Sequence, residues 1–86
     1  MAPEEIKSAL RRSPFVPFKL TLTEASAYDV RHPELCMVGR RSAVLGLTGT
    51  DAADVLFERT VTVDLLHIVK LEPLESAAQK KNNGPA

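Results

Sequence analysis

The sequence predicts a mainly β domain of the α+β class, one short N-terminal helix followed by about five antiparallel strands bent into a small barrel. Three observations predict it. Apolar residues first recur at helical spacing (Ile6, Ala9, Leu10), then alternate with polar ones from Phe18 onward. Proline, glycine or polar clusters at residues 23–27, 32–34, 49–54 and 73 cut the alternating part into short runs. With 86 residues there is room for one domain, so every run has to share one core. Closing a short sheet on itself also removes edges that would recruit other chains.

The helix is placed at residues 3–12. Pro3 suits a first helical turn, where its missing N–H has no partner to lose. Glu4 and Glu5 face the positive end of the helix dipole, and Arg11 and Arg12 the negative end. Pro14 disfavours helical geometry in the residue before it, so the helix stops short of it. Ser13-Pro14-Phe15-Val16-Pro17 is an extended connector. It also matches a PxxP ligand pattern, but a stiff strap with Phe15 and Phe18 in the core is the plainer reading.

Phe18, Leu20 and Leu22 alternate with Lys19, Thr21 and Thr23 in a half-buried first strand. A polar turn over residues 23–27 leads to a second strand, with Tyr28 and Val30 on one face and Asp29 and Arg31 on the other. His32-Pro33-Glu34 breaks it, because proline cannot donate to a ladder. Residues 35–38 fit either a turn of helix or a brief strand. A third strand spans residues 40–48 around Ala43, Val44, Leu45 and Leu47, and residues 49–54 form a loop. The fourth strand is placed at residues 55–64, with Val55, Phe57, Val61 and Val63 toward the core. Arg59 falls on that apolar face and marks a bulge or a sheet margin. Asp64 is positioned to cap a tight turn over residues 65–67. A last strand, residues 68–72, stops at Pro73. The domain is thus residues 1–75. Residues 76–86 hold no large apolar side chain to offset ordering entropy and are expected to be a disordered tail.

Composition bounds the function classes. The 11 basic residues balance the 11 acidic ones, so the whole molecule has no general attraction for nucleic acid or anionic lipid. Zero net charge also weakens the repulsion that keeps copies apart. The one cysteine, Cys36, cannot form an internal disulfide, which favours a reducing cytoplasm. The start, Met1-Ala2-Pro3-Glu4-Glu5, is acidic and is not a signal peptide. No apolar stretch approaches the roughly 20 residues that span a bilayer.

The candidate binding patch is Arg31, His32, Arg40 and Arg41. Residues 1–41 hold seven basic and five acidic residues, and residues 42–86 four and six, so the halves carry +2 and −2. Such a patch suits phosphate or an acidic partner surface. The plainer reading pairs these arginines with Asp29, Glu34 or Glu58 on a solvated face. Nucleic-acid binders also use stacking aromatics, and here there is no Trp, one Tyr and three Phe. His32 and Cys36 are four apart, but two ligands do not hold a metal and Pro33 lies between them. His67 is read as bonding a backbone carbonyl near its turn. Cys36 has apolar neighbours, which raise a thiol pKa and suit a structural cysteine. The glycines, at 39, 46, 49 and 84, fit no phosphate-binding loop. No catalytic, cofactor or metal site is expected; the chain is expected to act by binding, with a protein partner or a second copy, and not as an enzyme.

Two stretches carry a resemblance. Arg12-Ser13-Pro14-Phe15-Val16-Pro17-Phe18 with His32-Pro33-Glu34, and Val61-Thr62-Val63-Asp64-Leu65-Leu66-His67-Ile68, resemble a family of short uncharacterised bacterial proteins. That family's pattern covers about residues 3–74 and usually has Asp-Gly in the first hairpin turn, where this chain has Glu24-Ala25-Ser26. The resemblance implies no activity. The order of elements is also similar to Sm-like and SH3-like small barrels. Sm-like rings bind RNA, which makes an RNA or single-strand DNA binder the alternative function. The Sm Arg-Gly pair is replaced here by Asp64-Leu65-Leu66-His67, so the likeness bears on fold more than on function.

Overall fold

The N-terminal helix, α1 (Pro3–Leu10), forms where the helical spacing places it, with Pro3 in its first turn and Ile6 fully buried. The computed structural model describes residues 1–48 and 55–74. Six strands follow: β1 (Phe18–Leu22), β2 (Ala27–Val30), β3 (Cys36–Val38), β4 (Ser42–Leu47), β5 (Arg59–Asp64) and β6 (Ile68–Pro73). They make two antiparallel three-stranded sheets, ordered β2-β1-β6 and β3-β4-β5. The fold is mainly β with one helix. The strands fall into this pair because the chain changes sheets at a 3₁₀ turn, Pro33–Leu35, and again at another, Leu65–His67.

Alternation decides which faces meet. Phe18, Leu20 and Leu22 of β1 are buried while Lys19 and Thr21 are half-exposed. Ala43 and Leu45 of β4 and Val63 of β5 point the same way, inward. With Ile6, Val30, Cys36, Leu65 and Ile68 they form one core shared by both sheets and the helix. Phe15 closes its margin, its ring 6.0 Å from that of Phe18. The second 3₁₀ turn laces the sheets together. Asp64 caps it by accepting from the Leu66 N–H at 2.9 Å, as its position predicts. Leu65 N–H donates to the Arg41 carbonyl at 2.8 Å, and Thr23 N–H donates to the His67 carbonyl at 2.9 Å, so the turn grips one hairpin of each sheet.

Several expectations need correction. The helix ends at Leu10, with Arg11 as its C-cap. Residues 35–38 are turn and strand in succession, Leu35 closing the 3₁₀ turn and Cys36 opening β3. Arg40 and Arg41 lie in the β3–β4 hairpin and precede the strand expected to contain them. The largest correction concerns Phe57. Placed in the core from its alternation with Val61 and Val63, it is 56% exposed, and Val55 is 45% exposed. The ladder explains this: Leu47 opposite Arg59 is the last β4–β5 pair, so residues 55–57 lie beyond the end of that ladder. Arg59 marks that margin. The loop expected at residues 49–54 and the tail expected at residues 76–86 lie outside the described residues.

Candidate functional site: an apolar cleft on the outer sheet face

Side chains that alternate out of the β3-β4-β5 sheet converge on one patch. The register sets Met37 opposite Val44 and Val44 opposite Thr62, with Gly46 opposite Thr60 beside them. Across this face lies a cleft of about 380 Å³, lined by Glu34, Leu35, Met37, Val44, Gly46, Val55, Phe57 and Thr60. Gly46 makes it possible. A Cβ added there would meet Leu35 Cδ2 and Phe57 Cβ, each at 3.1 Å, so the absence of a side chain lets these two approach the strand closely. Met37 is 65% exposed and Leu56, next to Phe57, is 73% exposed. Large apolar side chains gathered on one face, left in water, mark an interaction surface more often than scattered ones do.

The four expected patch residues do not converge: Arg31 lines one other cleft, Arg40 and Arg41 a second, and His32 sits at the start of the first 3₁₀ turn. Arg31, just past β2, lines a cleft of about 570 Å³ with Asp29, Glu58 and Arg59, and its Nη2 is 3.3 Å from Asp29 Oδ2. That is the solvated pairing of the plainer reading. Arg40 and Arg41 line a different cleft, of about 410 Å³, with Met1, Pro3, Asp64, Leu65 and Leu66. Strand β4 runs between the two clefts, so roughly 20 Å separates them at ~3.3 Å per residue. His32 is the N-cap of the first 3₁₀ turn, and its carbonyl accepts from Leu35 N–H at 3.0 Å. Neither guanidinium of the Arg40–Arg41 pair forms an ion pair among the described residues.

Elsewhere the chemistry is structural. Cys36 is buried in the core, and loss of hydration pushes its thiol from 9.0 up to about 11, far from a nucleophile's range. His67 Nδ1 sits 3.4 Å from Thr23 Oγ1. Ser26 Oγ donates to Glu24 at 2.6 Å, which together with Glu24's own backbone N–H lowers that exposed carboxyl's pKa. Among the described residues no group of three or more His, Cys, Asp or Glu could hold a metal, and no helix is long and apolar enough to cross a membrane.

Sequence reasoning missed the apolar cleft because Val55-Leu56-Phe57 reads as strand core. Two signals pointed to it: Gly46 in mid-strand, a sign of close approach, and Met37, which alternation places opposite the buried Cys36. Compared with protein-family models, curated proteins and solved structures, the chain matches none.

Proposed function

We infer that the chain is a non-enzymatic interaction module, an Sm-like or SH3-like small barrel that binds a protein partner or a second copy through the outer face of β3-β4-β5. The observation that carries this reading is the cleft of Met37, Val44, Val55 and Phe57, whose apolar side chains stay in water at exposures of up to 65%. Covering such surface is favourable by about 25 cal/mol per Å². The barrel reading is supported by one core shared between the two sheets. A cytoplasmic setting agrees with a lone, buried, reduced cysteine.

The test is a peptide-display library panned in parallel on the wild type and on Met37→Glu and Phe57→Ala. Both sites are exposed, so the variants fold. Binders should be recovered from the wild type and lost on both variants. Binders retained equally by all three proteins place the function elsewhere.

A second reading, the RNA or single-strand DNA binder, is favoured by the two guanidiniums of Arg40 and Arg41, which lack ion pairs among the described residues. Phosphate contacts would make its affinity fall steeply with salt. Arg40→Ala with Arg41→Ala should then weaken oligonucleotide binding and flatten the salt slope. An unchanged slope rejects this reading.

A further inference from the structure

The β3–β4 hairpin carries Arg40 and Arg41 at its tip, on two consecutive residues. Two hydrogen bonds pin that tip. Gly39 N–H donates to the Ser42 carbonyl at 2.7 Å across the turn, and Leu65 N–H, from the second 3₁₀ turn, donates to the Arg41 carbonyl at 2.8 Å. The backbone beneath both guanidiniums is thus tied to its own hairpin and to the neighbouring turn. Both residues are exposed, and both line the 410 Å³ cleft.

Charge asks for an anion there. Like charges on adjacent residues repel, and neither guanidinium forms an ion pair among the described residues. Asp64 lines the same cleft, but its Oδ1 is engaged as a cap, accepting from the Leu66 N–H at 2.9 Å. Two cations therefore stand against one capping anion. A phosphate monoester carries about two negative charges at neutral pH and presents strong acceptor oxygens. Guanidiniums match such a group well, because each can donate parallel N–H bonds to it.

The rest of the lining selects what the phosphate is attached to. Met1, Pro3, Leu65 and Leu66 complete the cleft, and all are apolar. Leu66 is 81% exposed, the most exposed large apolar side chain among the described residues. Leu65 before it and Ile68 after it are buried, which leaves Leu66 on the outside, beside the arginines. Among the described residues no aromatic side chain lines the cleft, so a nucleobase has nothing there to stack on. Arg31 lies in another cleft, beyond β4. A nucleic-acid strand draws its affinity from many phosphates in a row, and in this cleft it meets one pair of cations.

We propose that Arg40 and Arg41 bind a single phosphate monoester whose other end is an aliphatic chain. The guanidiniums hold the phosphate, and the first carbons of the chain lie against Leu66 and Pro3. The site is separate from the apolar cleft on the outer sheet face. It shares its arginines with the oligonucleotide reading and names a different ligand for them.

The experiment titrates the full chain with n-hexyl phosphate and follows backbone amide resonances. Those of Arg40, Arg41, Leu65 and Leu66 should move, and hexyl phosphate should bind about tenfold more tightly than inorganic phosphate. Leu66→Ser should remove that advantage and leave inorganic phosphate unaffected. Arg40→Gln with Arg41→Gln should weaken both ligands by about tenfold or more, with unchanged amide resonances in β1 showing that the fold persists. Hexyl phosphate that binds no better than inorganic phosphate, or binds the double variant as well as the wild type, overturns the proposal. So does n-hexanol that moves the same amides as far, since the arginines would then be idle. Oligothymidine that binds through these arginines more tightly than hexyl phosphate overturns it in favour of the nucleic-acid reading. Vesicles of phosphatidylcholine with and without phosphatidic acid separate the two sources of this chemistry. Sedimentation with the acidic vesicles alone supports a lipid headgroup, and sedimentation with neither supports a free molecule. Sedimentation with both overturns the role of the phosphate.

Discussion

At the scale of single residues, the first hairpin holds a stabilising substitution. Ala25 has φ 79° and closes a three-residue loop in which Ala25 N–H donates to the Leu22 carbonyl at 2.8 Å. Loops of this kind place glycine in the left-handed position. An L side chain there costs about 1–2 kcal/mol, while glycine's greater freedom in the unfolded chain returns about 0.5–1. Ala25→Gly should therefore raise stability by about 0.5–1 kcal/mol, seen as a higher urea midpoint at unchanged slope. A lower midpoint would mean that Ala25 is not left-handed in solution. Cys36 supplies a pH signature. Its thiol ionises near 9.0 in the unfolded chain and near 11 when folded. The folded state thus keeps a proton that the unfolded state releases. The contribution of the neutral thiol is complete below pH 9 and is lost as pH rises from 9 to 11. Alkaline unfolding should shift to higher pH in Cys36→Ala once its lower stability at neutral pH is allowed for. At pH 8 a thiol reagent should label Cys36 only after denaturant is added; rapid labelling of the native protein would place the thiol at the surface.

At the scale of elements, burial separates two phenylalanines of similar sequence setting. Phe18, in β1, is 1% exposed, while Phe57 is 56% exposed. Phe18→Ala should cost about 3–5 kcal/mol through cavity formation, and Phe57→Ala under about 1 kcal/mol. Equal costs would return Phe57 to the core. Asp64 caps the turn that holds the two sheets, so Asp64→Ala should cost about 1 kcal/mol by thermal melting, with Asp64→Asn recovering most of it. These elements differ in how plainly the chain announces them. The helix, β1, β6 and the Asp64 cap are legible because each is decided locally, by a proline, a strict alternation or a capping carboxylate. The break between β4 and β5 is not, since it depends on where the partner strand runs out of pairing residues, a non-local fact. Val55-Leu56-Phe57 has strand composition but lies beyond the Leu47–Arg59 pair that ends the β4–β5 ladder. The site follows the same rule. Arg31, Arg40 and Arg41 could be picked out by charge, but whether they meet depended on the path of β4, which sets them at opposite ends.

At the scale of the molecule, neither sheet owns a core. Phe18, Leu20 and Val30 come from one sheet, Ala43, Leu45 and Val63 from the other, and all pack with Ile6 in a single cluster. An isolated three-stranded sheet of this length with one apolar face needs something to lie against, and here each sheet is the other's cover. The two 3₁₀ turns are the only covalent passages between the sheets among the described residues. Opening one sheet therefore exposes the inner face of both, and the domain should unfold as one cooperative unit. Amides of Leu20 in β1 and Leu45 in β4, each in the central strand of its sheet, should exchange with the same free energy to within about 0.5 kcal/mol. Leu45→Ala should lower protection in β1 by as much as in β4. Protection lost from β3-β4-β5 alone, at a free energy well below that of β1, would mean that the sheets open separately. The apolar cleft would then belong to a mobile subdomain, and a partner that covered it would stabilise that sheet first.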